Sequence, residues 1–347
     1  MNRLITFFLL VLIGLNSVSC QNEYQIRTVA FYNLENLFDP VDDPDKKDER
    51  SPIMEIQKDR QGIYEKKLNN MAKVLSEIGL KEANDSPAMI GVAEIENSRV
   101  LNDLLATTYL KNKGYAFIHY DSPDVRGIDV ALLYKEKYFT PTHHETFELR
   151  LWDEKGMRIY TRDQLLVSGY LDDEFIHIIV NHWPSRRGGE AKSRSKREKA
   201  AYLNTQIIAK IKANDPNAKI IIMGDLNDDP TNSSLKKVLK TKARKKRVET
   251  GDLYNPMENM FRRGENTLVY RDQINLFDQL IFSASLLSTK KDYKSYKMYK
   301  TAVFKPTYLT THTGKYKGYP YRSFSSSGFT GGYSDHYPVY MYLIKNK

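Results

Sequence analysis

The sequence has almost no cysteine and no long hydrophobic run. Cys20 is the only cysteine among 347 residues, so the chain after it can form no internal disulfide and no cysteine-ligated zinc or iron–sulfur site. No apolar run approaches the roughly 18 residues of a membrane-spanning helix. No Pro/Gly-rich linker divides the chain either. We therefore expect a single domain over residues 21–347, stabilised by its hydrophobic core.

The N-terminus has the pattern of an export signal. Arg3 supplies a positive charge, Leu4 to Leu15 is apolar, and Ser17–Cys20 provides small residues for cleavage, which predicts a signal peptide over residues 1–19. Cys20 stands where a bacterial lipoprotein would carry its lipid, so we predict lipidation there and a membrane anchor in the cell envelope, at the outer membrane. Simple secretion is the alternative, because Ser17–Ser19 is a poor lipoprotein signal. Both predict an extracytoplasmic protein.

The chain is basic, with a formal net charge of +10, and the excess is concentrated in two runs. Lys236 to Arg247 holds eight basic residues, and Arg186 to Lys199 holds seven. Basic surfaces concentrate polyanions such as nucleic acid or anionic lipid. The first run has an equally simple interpretation as a solvated helix face and loop. The second follows a histidine motif directly, so we expect it at the mouth of a site.

Strand-like and helix-like segments alternate along the chain. Apolar residues at helical spacing predict helices over Tyr64–Ile78 and Ala200–Ile211. Strands are predicted at Met89–Val92, Val130–Tyr134, Phe175–Asn181, Ile220–Met223, Gln279–Phe282 and Val339–Leu343. Helices interleaved with strands indicate an α/β fold, and periodicity alone allows an open doubly wound sheet. Asp39 to Arg50 and Ser323 to Gly332 are predicted to be mobile loops near the site.

Polar side chains stand at or near one end of nearly every strand-like run. They are Asn33 and Glu35 after Thr28, Glu94 after Met89–Val92, Asn181–Trp183, the Gly-Asp-Leu-Asn segment Gly224–Asn227, Asp278, and the Ser-Asp-His segment Ser334–His336. Carboxylates, amides and histidines gathered at the rim of a sheet are the parts needed for metal-assisted phosphoryl chemistry. Glu94 is our prediction for the principal metal ligand, because Mg²⁺ and Mn²⁺ take oxygen ligands.

This ordered series resembles the endonuclease/exonuclease/phosphatase superfamily, the group that includes DNase I, exonuclease III and bacterial sphingomyelinases. The resemblance covers nearly the whole chain after the signal. It implies a four-layer α/β sandwich, in which two mixed β-sheets pack face to face with helices outside. It also implies that Asn33 supports the metal at Glu94, that Glu35 can approach a second ion, and that Asp335 lies near the metal.

The resemblance assigns roles to the other residues too. Asp225 orients or activates the attacking water, Asn227 hydrogen-bonds the phosphate, and Asp278 supports His336. The role of general base stays open between Asp225 and His336. His182 resembles a histidine that protonates the leaving oxygen in the DNase I and sphingomyelinase branches, and Asn181 accompanies it at the substrate phosphate. Arg126 precedes a strand and could also reach a phosphate.

The leading functional prediction is a Mg²⁺- or Mn²⁺-dependent extracytoplasmic phosphodiesterase that acts as an endonuclease on DNA, RNA or both. Nucleic acid is then the partner, as substrate, and no protein partner is implied. A second interpretation keeps the fold and changes the substrate to a phospholipid head group, as in sphingomyelinases. A third is a surface lipoprotein that binds an anion at the site without catalysis. DNA and RNA, or endo- and exonucleolytic cleavage, are not distinguished by the sequence.

Overall fold

The computed structural model describes residues 23–287 and 292–347, and within them it forms eighteen strands and five α-helices. The strands are β1 (Tyr24–Leu37), β2 (Met89–Ile95), β3 (Tyr115–His119), β4 (Asp129–Lys135), β5 (Phe139–Phe147), β6 (Leu151–Trp152), β7 (Arg158–Ile159), β8 (Gln164–Leu171), β9 (Glu174–His182), β10 (Lys219–Asp225), β11 (Leu253–Tyr254), β12 (Leu268–Tyr270), β13 (Gln273–Asn275), β14 (Asp278–Ser283), β15 (Lys297–Val303), β16 (Phe324–Ser325), β17 (Gly328–Phe329) and β18 (Val339–Asn346). The α-helices are α1 (Arg60–Glu77), α2 (Leu80–Ala83), α3 (Ser98–Ala106), α4 (Glu190–Asn214) and α5 (Met257–Arg262).

Twelve of these strands form two sheets of six. The first sheet has the order β15-β18-β1-β2-β4-β3, and the second has the order β11-β14-β10-β9-β8-β5. Each sheet contains one parallel pair at its centre, β1 with β2 and β9 with β10. Parallel neighbours need a crossover connection, and the chain supplies it with α1 in the first sheet and α4 in the second. Both sheets are therefore mixed and built around similar central units.

The two sheets pack against each other through alternate side chains of their central strands. On β1, Val29 and Phe31 belong to the cluster that also contains Ile178 of β9 and Met223 of β10. A Cβ on Gly91 would lie 2.4 Å from the sulfur of Met223, so the Met223 side chain fills the space that the absence of a side chain at Gly91 leaves between the sheets. Successive strand residues point to opposite faces, which leaves the intervening side chains for the helices.

Helices cover the outer face of each sheet. Ala30 and Tyr32 of β1 lie in a cluster with Met71 and Leu75 of α1 and with α3. On the other sheet, Ile220 and Ile222 pack with α4. The order of layers is helix, sheet, sheet, helix, which confirms the four-layer α/β sandwich. The open doubly wound sheet that periodicity alone allowed is wrong, because the strands divide between two sheets.

The six predicted strands and the helix over Ala200–Ile211 are confirmed within wider bounds, and the helix predicted over Tyr64–Ile78 is confirmed as Arg60–Glu77, which ends one residue earlier. The Asp39–Arg50 segment contains a short 3-10 turn at Asp48–Arg50 and carries buried carboxylates at Asp39 and Asp48. The Ser323–Gly332 segment includes the short hairpin of β16 and β17. The predicted signal peptide and Cys20 lie outside the described residues, so lipidation and the single-domain boundaries stay predictions. No helix of the described part is long and apolar enough to cross a membrane.

Candidate active site

Three polar side chains lie side by side where three strands of the second sheet meet the active-site edge. The register pairs Asp225 of β10 with His182 of β9 on one side and with Asp278 of β14 on the other. A Cβ at Gly224 would lie 2.3 Å from the carbonyl oxygen of Asn181, so glycine is required before Asp225. This row is the floor of the candidate site.

The first sheet contributes Glu94 and Asn33 through irregular backbone. Glu94 has a left-handed conformation, with φ 60, and the pairing register of β2 shifts between Ala93 and Ile95. Such a bulge turns a side chain away from the direction that regular alternation dictates. The amide Nδ2 of Asn33 lies 3.1 Å from Glu94 Oε1 and 3.1 Å from Asp225 Oδ2. Asn33 thus links the carboxylates of the two sheets.

A second bulge supports the same arrangement from β1. Glu35 and Asn36 also have positive φ angles, 47 and 50, and the register of β1 shifts between Asn33 and Leu37. The backbone N–H of Asn36 donates to Glu94 Oε2 over 2.9 Å. Left-handed conformations of residues other than glycine cost free energy and are concentrated at functional sites. Here they fix both oxygens of Glu94.

His336 is held by a buried carboxylate. Its Nδ1–H donates to Asp278 Oδ2 over 2.7 Å, and its Nε2 lies 3.9 Å from Asp225 Oδ2. Burial alone would lower the pKa of His336, but the charges of Asp278 and Asp225 and the hydrogen bond raise it well above the ordinary value. The imidazolium form is therefore favoured, with its free N–H directed towards the site.

His182 has the opposite electrostatic environment. Its Nε2 lies 3.7 Å from Glu94 Oε1 and 3.6 Å from Asp225 Oδ2. Burial, followed by the positive charges of Arg162 and Arg126, lowers the pKa of His182 well below its ordinary value. The pKa values of the two histidines around Asp225 are thus shifted in opposite directions, which favours a neutral His182 and a cationic His336.

Asp225 and Asn227 lie in a tight turn. Asp225 Oδ1 accepts the backbone N–H of Asn227 over 2.9 Å, and the Asn227 amide donates to the carbonyl of Trp183 over 3.0 Å. Burial raises the pKa of Asp225 to about 7, with His336 lowering it and Asp278 and Glu94 adding to the increase. Asp225 Oδ2 is consequently the point on which Asn33, His182 and His336 converge.

Glu35 and Asp335 are placed in a separate group around Arg322. The Nε of Arg322 donates to Glu35 Oε1 over 3.1 Å, and its terminal nitrogen lies 3.3 Å from Asp335 Oδ2. The backbone N–H of Ser323 donates to Glu35 Oε2 over 2.7 Å. Burial, followed by Asp335, raises the pKa of Glu35 to about 7. Glu35 and Asp335 are therefore joined by the guanidinium of Arg322, at the place where a second metal ion was expected.

The remaining predicted residues have different positions. Asn181 is fully buried on the opposite face of β9, where its oxygen accepts hydrogen bonds from Trp183 and Asn204. Its amide therefore does not join the group around Asp225. Arg126 is half exposed and is paired with Asp124 over 3.2 Å. It lies close enough to lower the pKa of His182, which places its charge beside the site.

The side chains present fit a divalent cation. Glu94, His182 and Asp225 each offer one ligand atom, and these atoms lie within 4.8 Å of one another. The two carboxylates approach the same Asn33 amide, so their like charges repel unless a cation or a proton lies between them. Carboxylate oxygens suit Mg²⁺ and Mn²⁺, and the set contains no thiolate. The role of each residue stays a prediction.

Several residues of the site were not predicted from the sequence. Arg162 is buried, donates to the Trp183 carbonyl over 2.7 Å and pairs with Asp124. The ammonium of Lys67 is also buried and donates to the backbone carbonyls of Glu35 and Asn36. The Ser334 hydroxyl donates to the Asn33 carbonyl over 2.7 Å. Only Ser334 stood inside a recognised motif; the two cations follow no local pattern.

The comparison with protein families agrees with this geometry. The sequence model described as the endonuclease/exonuclease/phosphatase family matches residues 28–345. The chain belongs to this family. A search of curated proteins finds no match to the sequence. Membership in the endonuclease/exonuclease/phosphatase family makes the chain a hydrolase of phosphoester bonds, in a family whose enzymes typically depend on a divalent metal.

Solved structures of the family share the fold. An endonuclease/exonuclease/phosphatase family protein from Bacteroides thetaiotaomicron has a TM-score of 0.55 and 15% identity, covering 94% of this chain and 97% of its own. TDP2 of D. rerio, humanized by 14 mutations, has a TM-score of 0.53 and 12% identity, covering 92% and 99%. Mannosyl-6-phosphatase of Bacteroides thetaiotaomicron VPI-5482 has a TM-score of 0.53 and 17% identity, covering 91% and 99%.

Proposed function

We propose that this hydrolase is a Mg²⁺- or Mn²⁺-dependent phosphodiesterase, and that its substrate is nucleic acid, DNA or RNA, cleaved endonucleolytically. One observation carries the proposal: Glu94, His182, Asp225 and the His336–Asp278 pair converge from both sheets on a single point. Two carboxylates and two histidines whose pKa values are shifted in opposite directions suit the attack of water on phosphorus and the departure of the leaving oxygen.

The side chains divide the chemistry between them. Glu94 would hold the cation, with Asn33 beside it and Asp225 within reach, and a bound divalent ion neutralises charge on the phosphate. Asp225 accepts the proton of the attacking water. The His336 imidazolium, oriented by Asp278, donates a hydrogen bond to a phosphate oxygen. His182, on the other side of Asp225, would donate a hydrogen bond from its neutral ring to the departing oxygen, which takes its proton from water.

The basic surface next to this group supports a polyanionic substrate. Arg126, Arg162 and Arg187 line one cavity beside the site, and phosphate backbones are attracted by such charge without regard to sequence. We also propose that residues 1–19 export the protein and that Cys20 carries a lipid. The enzyme would then act in the cell envelope on nucleic acid from outside the cytoplasm.

An activity panel tests the proposal. The chain from Gln21 is incubated with supercoiled plasmid, linear DNA, RNA and sphingomyelin, in Mg²⁺ and in EDTA. We expect plasmid nicking in Mg²⁺ that disappears with EDTA and in His336→Ala. The matched control His312→Ala, an exposed histidine, should nick normally.

Two results would change the assignment. Release of phosphocholine without cleavage of any nucleic acid would make the substrate a phospholipid head group. Equal behaviour of wild type, Glu94→Ala, Asp225→Ala and His336→Ala on every substrate would leave a protein that binds anions without catalysis.

A further inference from the structure

A basic cleft opens directly beside the catalytic group. The cavity has a volume of about 810 Å³, and its wall includes Asn36, Arg126 and Arg162. Asn36 donates to Glu94, and Arg162 donates to the carbonyl of Trp183, the residue after His182. The cleft therefore begins where the scissile phosphate would be bound.

A second cavity continues the cleft away from the site. It has a volume of about 440 Å³ and shares Leu151, Arg187 and Lys196 with the first. Its walls are the β6–β7 hairpin on one side and the first turns of α4 on the other. The shared residues place the two cavities next to each other on the surface.

Positive charge dominates both walls. The cations are Lys47, Arg50, Arg126, Arg162, Lys155, Arg187, Lys192, Lys196 and Lys199, and the carboxylates are Asp48, Glu49, Asp124, Asp153 and Glu154. Asp48 is buried, and Asp124 is already paired with Arg126 and Arg162. Glu190, the acidic residue of the first turn of α4, forms ion pairs with Arg194 and Arg197. Within residues 23–287 and 292–347, no ion pair involves Lys47, Arg50, Arg187, Lys192, Lys196 or Lys199. These six cations are therefore available to a ligand.

Two exposed aromatic rings accompany these charges. Trp152 and Tyr160 are each 51% exposed, and they line the second and the first cavity respectively. The guanidinium of Arg158 lies 5.2 Å from the centre of the Trp152 ring and 5.7 Å from that of Tyr160. This cation holds the two rings at the ends of the hairpin, and large exposed rings in a basic groove serve as stacking platforms for bases.

We propose that this cleft binds single-stranded nucleic acid, with its phosphates on the cations of α4 and the loop at Lys47–Arg50 and its bases stacked on Trp152 and Tyr160. The proposal rests on the nuclease function and narrows its substrate. Paired bases inside a duplex cannot stack on a side chain without leaving their partners, whereas a single strand offers every base. A lipid surface would use the charges but would not need two spaced rings.

Binding measurements test the cleft separately from catalysis. Fluorescence anisotropy in EDTA compares a single-stranded 16-mer with its duplex, for wild type and three variants. We expect Trp152→Ala/Tyr160→Ala to weaken single-strand binding about 10-fold or more, because each stacked base contributes substantially. Its salt dependence should stay that of wild type, and duplex binding should not change.

Charge removal gives a second, distinct signature. Arg187→Ala/Lys192→Ala/Lys196→Ala should weaken single-strand binding and reduce the slope of log affinity against log salt by about 2, since each phosphate contact contributes about 0.7 on single strands. The matched control Lys237→Ala/Arg244→Ala/Lys246→Ala removes the same charges from exposed positions of the other basic run and should change affinity less than 2-fold. Thermal unfolding of each variant checks that it is folded.

The outcomes separate the cleft from the site. The proposal would be overturned if wild type bound the single strand and the duplex with equal affinity and Trp152→Ala/Tyr160→Ala changed neither affinity. Binding to anionic vesicles without binding to either nucleic acid would overturn it too. Wild-type hydrolysis of bis(p-nitrophenyl) phosphate in Mg²⁺ reports on the catalytic group alone. If the protein hydrolyses this substrate but does not bind the single strand, the proposal for the cleft is wrong and the proposed phosphodiesterase activity is retained. If binding is present and no phosphodiester is cleaved, the proposed function fails instead.

Discussion

Two groups of one histidine and two carboxylates bring their ligand atoms within 4.8 Å in the described part of the chain. One is Glu94, His182 and Asp225, and the other is His119, Asp121 and Asp129. In the second group, Asp129 accepts two hydrogen bonds from Ser122 and lies 3.2 Å from His119 Nε2, while Asp121 is 75% exposed. Its one buried carboxylate already has partners.

The first group differs in how its members are held. Left-handed backbone at Glu94 and a shared amide from Asn33 bring two carboxylates of different sheets together. Local strain of this kind persists only where surrounding structure imposes it. The comparison teaches that the spacing of ligand atoms alone does not identify a metal site. The backbone that forces like charges together is the more informative feature.

The largest expected effect comes from removing a carboxylate of the first group. Glu94→Gln should lower the rate of plasmid cleavage about 1,000-fold, because loss of one charge-stabilising group at a reacting centre costs on this order. Asp121→Asn makes the same chemical change in the second group and should leave the rate within about 2-fold, as exposed surface changes usually do. Steady-state kinetics in Mg²⁺ measure both. Comparable losses in the two variants would mean that the groups act together.

The next effect concerns the partner of His336. Asp278→Asn removes the charge that raises the pKa of His336 and favours its imidazolium form, and we expect kcat to fall about 100-fold. The fold should persist, because asparagine can still accept the Nδ1–H. Asp272→Asn, at an exposed carboxylate of the β12–β13 turn, is the control for the substitution itself. A normal kcat in Asp278→Asn would remove His336 from the chemistry.

The sequence predicts those residues of the site whose position follows from the strand they belong to. Asp225, Asp278 and His182 were predicted because each stands at or near one end of a strand-like run, and the observed register places them in one row. Strand alternation also explains Asn181: neighbours on β9 face opposite sides, so Asn181 and His182 cannot both face the site. The alternation of side chains along the strand therefore already distinguishes Asn181 from His182 in the sequence.

Other features of the site need the folded chain. Arg322 reaches Glu35 across 287 residues, and Arg162 reaches Asp124 across 38. Nothing near either arginine in the sequence distinguishes it from the many exposed basic residues. The bulges at Glu94 and Asn36 likewise arise from pairing between strands. Burial and register are tertiary properties, so these residues were out of reach of local pattern.

A smaller effect is expected at the buried carboxylate of the second group, and it should appear in stability alone. Asp129→Ala leaves the N–H of Ser122 and the ring of His119 without their acceptor, and the Ser122 hydroxyl keeps only the carbonyl of Ile128. Unpaired buried polar groups cost about 1–3 kcal/mol each, and after relaxation we expect a net loss of about 2 kcal/mol. Urea unfolding measures it, with Asp121→Asn as the neutral control. A stability loss that appears only when Mg²⁺ is present would instead make this group a metal site.

The smallest effect is a gain of stability at Asp163, which lies near the second group. Burial, followed by the charges of Glu148 and Asp129, raises the pKa of Asp163 to about 6. In the described part of the chain, no hydrogen bond reaches its buried Oδ1. The folded protein therefore holds this proton more tightly than the unfolded chain, and stability is lost as the pH rises from the unfolded pKa through about 6.

Asp163→Asn removes this penalty without changing the shape of the side chain. The variant should be more stable than wild type by about 1 kcal/mol above pH 6, because solvent reaches the carboxylate and screens part of the shift. The difference should be small at pH 4, near the unfolded pKa of 3.8, and should vanish only below it, where wild-type Asp163 is protonated in both states. Urea unfolding at pH 4, 6 and 8 measures it, with Asp153→Asn as an exposed control. A variant that is less stable than wild type only when Mg²⁺ is present would show that Asp163 and Asp129 share a cation, and the contrast between the two groups would then disappear.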